Sequence, residues 1–263
     1  MILLAILVGT LTAGVGSVWL AAFLSFGVLA RYTQHMLSLA AGALLATAFM
    51  HLLPEAFETS VDAHSLFLVL LAGLIFFFLL DKAELWHHGH EHSHEHDAAV
   101  EQHGDHEHHK HAPTTGIWAV LVGDSVHCFG DGVLIASAFM ADLRLGGVAA
   151  VAVLAHEVPH HMGDLSVLRS GAADRRTALV KVSLAGAVTA LGGLLGYWLV
   201  ERLQAYLPYF LVVASSSFIY VALADLIPQL QKHLTARETA AQIAWLATGI
   251  ALVTAVSGLA HGH

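Results

Sequence analysis

Long apolar stretches, separated by short polar ones, run along the whole chain. Eight of them are each close to the roughly 20 residues with which an α-helix crosses a bilayer. They cover residues 3–29, 36–53, 64–80, 114–140, 145–168, 177–200, 208–228 and 239–260. The pattern predicts an all-α integral membrane protein with eight transmembrane helices. The first stretch lacks a positively charged start and a clear cleavage site, so we expect a retained span and not a signal peptide.

The composition supports this interpretation. Of the 263 residues, 12% are charged, against about 25% in an ordinary soluble domain. We therefore expect the lipid bilayer to be the main surrounding of the chain, and we expect no nucleic-acid partner.

Lysine and arginine predict the orientation, because cytoplasmic loops carry the excess of positive charge. If the N-terminus is outside, only Arg144 and Arg202 fall outside. Both termini are then predicted to lie outside a plasma (inner) membrane that the chain crosses several times. Nine basic residues fall inside: Arg31, Lys82, Lys110, Arg169, Arg175, Arg176, Lys181, Lys232 and Arg237.

A histidine-rich tract separates the third apolar stretch from the fourth, on the predicted cytoplasmic side. Such a tract stays disordered or folds around metal, and imidazole is a good ligand for zinc, copper or nickel. Two interpretations remain open, a solvated linker that binds metal only incidentally and a loop that buffers or senses metal. The candidate ligands are His87, His88, His90, His92, His94, His96, His103, His106, His108, His109 and His111.

The tract divides the chain into four predicted parts. These are transmembrane helices 1–3 (1–86), the histidine-rich cytoplasmic loop (87–113), the central helices 4 and 5 (114–170) and helices 6–8 (171–263).

Ionisable residues are concentrated in the two central helices, where each costs at least a few kcal/mol unless it has a function or a partner. In "GDSVHCFGDG", Asp124, His127, Cys128 and Asp131 share about 100° of helical arc. In "HEVPHHMGD", the polar residues fall within about 140°; they are His156, Glu157, His160, His161 and Asp164. Two polar faces on consecutive helices can face each other.

Such a pair of faces suits a borderline divalent cation, because imidazole and carboxylate are ligands of zinc. A 2+ ion also offsets the cost of burying carboxylates. A proton relay or a buried ion-pair cluster is the alternative, and the only basic residues of these helices, Arg144 and Arg169, lie at their ends. The five candidate ligands are His127, Asp131, His156, Glu157 and His160.

Small and cyclic residues accompany these motifs. Pro159 removes one backbone N–H and frees the carbonyl of Ala155 near the expected ion path. Gly132 and Gly163 allow close approach of backbones, although tight helix packing explains glycines equally well.

Two further motifs contain ionisable residues. "HLLPEAFE" places His51 and Glu55 four residues apart in the second span, and "DLIPQLQK" repeats a similar pattern at Asp225 in the seventh. Spans two and seven run in opposite directions, so an inverted repeat would leave such a match. His51, Glu55 and Asp225 are therefore candidates for a secondary metal site or for the ion path; alternatively, they lie at the membrane interface without a function.

The motifs around His127 and His156 together resemble the ZIP (Zrt/Irt-like) family of zinc and iron transporters, in particular its histidine-rich zinc subfamily in a prokaryotic form. "GDSVHCFGDG" is similar to the family's span-four signature, "HEVPHHMGD" to its span-five signature and "HLLPEA" to its span-two motif. The eight spans and the histidine-rich third loop agree, so the resemblance covers nearly the whole chain.

The resemblance implies a homodimeric importer of divalent metal with spans four and five central in a 3+2+3 arrangement. The outer triplets form an inverted repeat, and the metal-carrying helices slide like an elevator against a dimeric scaffold. Zinc is the expected transported substrate, with Cd²⁺, Fe²⁺ or Mn²⁺ as alternatives. His127, Asp131, His156, Glu157 and His160 occupy its metal-ligand positions.

Two positions depart from the family pattern. Cys128 stands where the family usually has asparagine, as a softer ligand or as a packing residue. Span six has no carboxylate, so a full binuclear centre is in doubt. We expect Asp124, His161 and Asp164 to orient ligands or to line the path towards the cytoplasm.

An intramembrane zinc metalloprotease is the rival interpretation, because H-E-x-x-H at 156–160 would hold its zinc and Glu157 would act as the base. Asp131 could supply a third ligand. We expect a transporter and not an enzyme, because Pro159 interrupts the straight helical turn that a protease needs, and because a protease needs neither His127 nor the histidine-rich loop.

Overall fold

The computed structural model describes residues 1–25, 33–89, 114–170, 174–227 and 235–261, and every regular element in these ranges is helical. The prediction of an all-α fold is confirmed for this part of the chain. The α-helices are α1 (Ile2–Leu11), α2 (Ser17–Ser25), α3 (Thr33–Thr47), α4 (Leu53–Phe57), α5 (Ala63–Gly89), α6 (Thr114–Ala141), α7 (Leu143–Ser170), α8 (Arg175–Arg202), α9 (Leu207–Tyr220) and α10 (Ala236–His261).

Each of the eight predicted apolar stretches overlaps helix. Among the described residues, five helical stretches are long and apolar enough to cross a membrane: Ile2–Leu24, His35–Phe57, Ala63–Leu80, Arg175–Arg202 and Gln204–Ala224. The central helices α6 and α7 have 28 residues each and are therefore about 42 Å long. They are long enough to cross, but their ionisable residues lower their hydropathy.

Three π-helical turns interrupt these stretches: Thr12–Gly16, Ala48–Leu52 and Val221–Leu226. The last two begin shortly before Pro54 and Pro228 in the sequence. They overlap the motifs "HLLPEAFE" and "DLIPQLQK", which have similar patterns. Pro54 cannot donate to the carbonyl of Met50, and widening the turn is one way for a helix to accommodate this. The two motifs thus share a local backbone feature as well as residues.

The backbones of α6 and α8 lie directly against each other, because the residues at their contact include glycines, which have no side chain. A Cβ atom added at Gly132 would overlap the carbonyl of Thr189, and one at Gly192 would overlap the carbonyl of Phe129. Backbones that approach this closely pack with extensive van der Waals contact. The contact holds the polar face of α6 in a fixed position.

Helices α3 and α10 form a second close pair. Added Cβ atoms at Gly42 and Gly249 would overlap the carbonyls of Leu246 and Leu39, respectively. Glycine thus allows close backbone contact in two helix pairs, α6 with α8 and α3 with α10.

Helix α7 continues through Pro159 without a break, and Pro159 is buried. The helical assignment of α7 therefore gives no sign of the interruption that the sequence argument against a protease assumed. An apolar cluster that includes Val18, Leu121, Val158, Leu168 and Val182 packs α2, α6, α7 and α8 together. This packing brings the polar faces of α6 and α7 within contact distance.

Candidate metal centre

The polar faces of α6 and α7 meet, and most of their ionisable side chains are buried. Three groups of side chains offer ligand atoms that all lie within 4.8 Å of one another. We name them the two-histidine cluster (His127, Asp131, His156, Glu157), the thiol cluster (Asp124, Cys128, Glu157, His161) and the Asp164 cluster (Asp124, His160, Asp164).

In the two-histidine cluster, imidazole nitrogens face carboxylate oxygens. His156 Nε2 lies 3.2 Å from Asp131 Oδ2 and 3.3 Å from Glu157 Oε1. His127 Nε2 lies 3.2 Å from the same Glu157 oxygen and 3.9 Å from Asp131 Oδ2. Ligand atoms of a tetrahedral zinc ion are about 3.3 Å apart, given metal–ligand distances of about 2.0–2.1 Å. The four side chains therefore fit a divalent ion of this size.

Two carboxylate oxygens in this cluster lack well-aligned hydrogen bonds. Asp131 Oδ2 and Glu157 Oε1 are buried, and neither accepts a well-aligned hydrogen bond from the described residues. Burying an anionic oxygen is costly unless a cation or a well-aligned hydrogen-bond donor satisfies it. A bound cation would remove that cost, and this is the strongest physical indication that the cluster holds metal.

The thiol cluster lies on the other side of Glu157. His161 Nε2 lies 3.1 Å from Glu157 Oε2 and 3.5 Å from Asp124 Oδ1. The thiol of Cys128 lies 3.6 Å from Asp124 Oδ1, 3.9 Å from Glu157 Oε2 and 4.0 Å from His161 Nε2. Glu157 therefore directs one oxygen to each cluster and joins the two.

The Asp164 cluster is more open. His160 Nδ1 lies 3.4 Å from Asp164 Oδ2 and 3.7 Å from Asp124 Oδ1, and the side chain of His160 is 37% exposed. The His160 ring stacks on that of His127 at a centroid distance of 5.2 Å. His160 thus touches the two-histidine cluster by its ring but directs Nδ1 towards Asp124 and Asp164.

The other predicted site residues lie apart from these clusters or outside the described part. His51 is in the π-helical turn Ala48–Leu52 and Glu55 is in α4, and neither belongs to one of the three groups found among the described residues. The backbone of Asp225 is in the turn Val221–Leu226, and its side chain lies outside the described residues.

The histidine-rich tract lies almost wholly outside the described residues as well. Only the backbones of His87 and His88 are described, at the end of α5.

One contact was not predicted. The hydroxyl of Ser17, at the start of α2, lies 3.0 Å from His161 Nδ1. Serine is common in membrane helices, and no spacing within the first span connects it with a motif 144 residues away.

Comparison with known proteins gives consistent results. A family model described as "ZIP Zinc transporter" matches residues 1–110 and 81–257. The chain is 28% identical to zinc transporter ZIP13 of Pongo abelii, in an alignment that covers 95% of the chain and 77% of that protein.

Two human relatives match over shorter regions. Identity is 31% to human ZIP10, over 54% of the chain and 19% of the relative. Identity to human ZIP4 is 36%, over 44% of the chain and 18% of the relative. The chain thus spans less than a fifth of these two relatives.

Proposed function

Because the chain belongs to the ZIP zinc transporter family, we propose that it imports divalent metal ions, zinc above all, into the cytoplasm by alternating access. It is a multi-pass membrane protein of a family of transporters, not enzymes. The family assignment, and not Pro159, separates the H-E-x-x-H motif from that of a metalloprotease.

The position of Glu157 is the observation that carries this proposal. Its two oxygens belong to two adjacent buried clusters, each of which offers four ligand atoms. Transport requires binding that is favourable but still permits release. A carboxylate shared by two clusters lets an ion exchange ligands one at a time, so that it never loses all its partners together.

The path continues through Asp124 in the same way. Asp124 belongs to both the thiol cluster and the Asp164 cluster, and His160 and Asp164 are less buried than His161. We assign the two-histidine cluster to initial binding and the Asp164 cluster to release towards the cytoplasm. His161 and Asp164 are then ligands along the path.

The architecture proposed around this path has eight spans in a 3+2+3 arrangement with spans four and five central. The shared π-helical turns before Pro54 and Pro228 support an inverted repeat. The homodimer, the plasma (inner) membrane, external termini and a metal-responsive cytoplasmic loop belong to the same proposal. His51, Glu55 and Asp225 are assigned to the ends of the path.

Reconstitution tests this function. The purified protein is inserted into liposomes that contain a fluorescent zinc indicator, and zinc is added outside. We expect zinc entry that is saturable and faster than in empty vesicles, with Cd²⁺, Fe²⁺ and Mn²⁺ compared under identical conditions. Flux no greater than in empty vesicles would refute the transporter, and zinc-dependent cleavage of a membrane peptide would favour the protease.

A further inference from the structure

Ser17 connects the first span to the thiol cluster. It is the first residue of α2, directly after the π-helical turn Thr12–Gly16. Both Ser17 and His161 are fully buried, and Ser17 Oγ lies 3.0 Å from His161 Nδ1. A buried contact between two polar groups from distant spans requires a defined hydrogen bond.

The direction of this bond follows from the second contact of Ser17. Its Oγ lies 2.6 Å from the carbonyl oxygen of Gly14. A carbonyl can only accept, and a hydroxyl has a single proton. Ser17 therefore donates to Gly14, and it must accept from the N–H at His161 Nδ1.

The consequence for His161 concerns its other nitrogen. With the proton on Nδ1, a neutral imidazole carries its free lone pair on Nε2. This is the atom that lies 3.1 Å from Glu157 Oε2 and 3.5 Å from Asp124 Oδ1. The lone pair therefore points into the thiol cluster, where a metal ion would take it.

The position of Ser17 is itself fixed from the other side. A Cβ atom added at Gly14 would overlap the carbonyl of Gly186 in α8, so the turn before Ser17 lies directly against that helix. The first span, α8 and His161 form one continuous set of contacts.

We infer that Ser17 is a positioning residue for transport: it holds His161 in the tautomer and orientation that bind metal through Nε2. The inference rests on the proposed function, because it concerns binding of the transported ion. Groups that orient a metal ligand through its second nitrogen typically change metal affinity or activity by 10–100-fold when they are lost.

Three variants at one position separate the hydroxyl from its volume. Ser17→Ala removes the hydroxyl. Ser17→Thr and Ser17→Val have nearly the same shape as each other, and only threonine retains the hydroxyl. Ser215→Ala is the matched control, because Ser215 is also fully buried but, among the described residues, its hydroxyl bonds only to the carbonyl of Leu211 in its own helix.

Zinc uptake into liposomes is measured for each variant, with protein incorporation and thermal unfolding checked in parallel. We expect Ser17→Ala and Ser17→Val to lower the maximal rate of zinc uptake by roughly tenfold or more, with a smaller change in the KM for zinc, because His161 belongs to the thiol cluster and not to the cluster of initial binding. Ser17→Thr and Ser215→Ala should remain close to the unchanged protein.

Two results would overturn the inference. One is a maximal rate of Ser17→Ala equal to that of Ser215→Ala. The other is an equal loss in Ser17→Thr and Ser17→Val, which would assign the effect to volume. Absence of zinc uptake by the unchanged protein is a different result, since it refutes the proposed function itself.

Discussion

The two-histidine cluster and the thiol cluster share Glu157 but differ in ligands and in access. The first contains only nitrogen and oxygen ligands, and the side chain of His127 is 27% exposed. The second adds sulfur, and its four residues are all buried. Sulfur favours softer metals, and carboxylate favours harder ones. Under the proposed function, an ion would first meet the nitrogen and oxygen atoms of the two-histidine cluster and then the sulfur atom of the thiol cluster.

Replacing Glu157 should break both clusters and have the largest effect. Glu157→Gln keeps the shape of the side chain but removes its charge and one acceptor oxygen. We expect zinc uptake into liposomes to fall more than about 100-fold, beyond the 10–100-fold typical of groups that only orient ligands. Thermal unfolding should stay close to that of the unchanged protein, and uptake at the normal rate would show that Glu157 is not a ligand.

Replacing one aspartate in each cluster should separate their contributions. Asp131→Asn affects only the two-histidine cluster, so we expect mainly a KM for zinc raised by about one order of magnitude. Asp124→Asn affects the thiol and Asp164 clusters, so we expect mainly a lower maximal rate. Full kinetic curves measure both parameters. Identical effects of the two variants would contradict an ordered path.

Replacing the thiol should change selectivity more than rate. Cys128→Ser keeps the size of the side chain but removes the soft ligand. We expect the ratio of cadmium to manganese uptake to fall several-fold, while zinc uptake changes less. Parallel uptake assays with the three metals measure this ratio, and Cys128→Asn, with the residue usual in the family, is the matched comparison. An unchanged ratio would make Cys128 a packing residue.

Deleting residues 87–111 should have the smallest effect on flux, because α6 and α7 supply the residues of all three clusters. We expect the maximal rate of zinc uptake to be unchanged and its dependence on cytoplasmic zinc to differ. Uptake by vesicles preloaded with a series of zinc concentrations measures this response. Complete loss of uptake would mean that the tract is part of the path.

The sequence predicted an all-α fold and the family; the family is confirmed, and the fold is confirmed for the described residues. Helical periodicity was sufficient to predict which side chains share a polar face, because residues four apart, such as Asp124 and Cys128, lie on one face of any α-helix. The two polar faces that the spacing predicts do meet in the structure. Metal binding by their side chains remains a prediction.

The sequence could not predict how the ligands divide between clusters. That division depends on the rotation of α7 about its own axis, which places His161 in the thiol cluster and directs His160 Nδ1 towards Asp164. The contact of Ser17 with His161 depends on the packing of the first span against α7. The spacing of residues within one helix predicts neither the rotation of α7 nor its packing against the first span.

The glycine contacts between α6 and α8, and between α3 and α10, have a mechanical consequence. Backbones that interlock without intervening side chains cannot shift along each other unless carbonyl groups collide. If helices slide during transport as the resemblance implies, each pair would move as one unit, and relative movement would occur at surfaces where longer side chains meet. On that proposal, covalent cross-links within either pair should leave zinc transport intact, whereas cross-links from a pair to a neighbouring helix that it slides past should stop it.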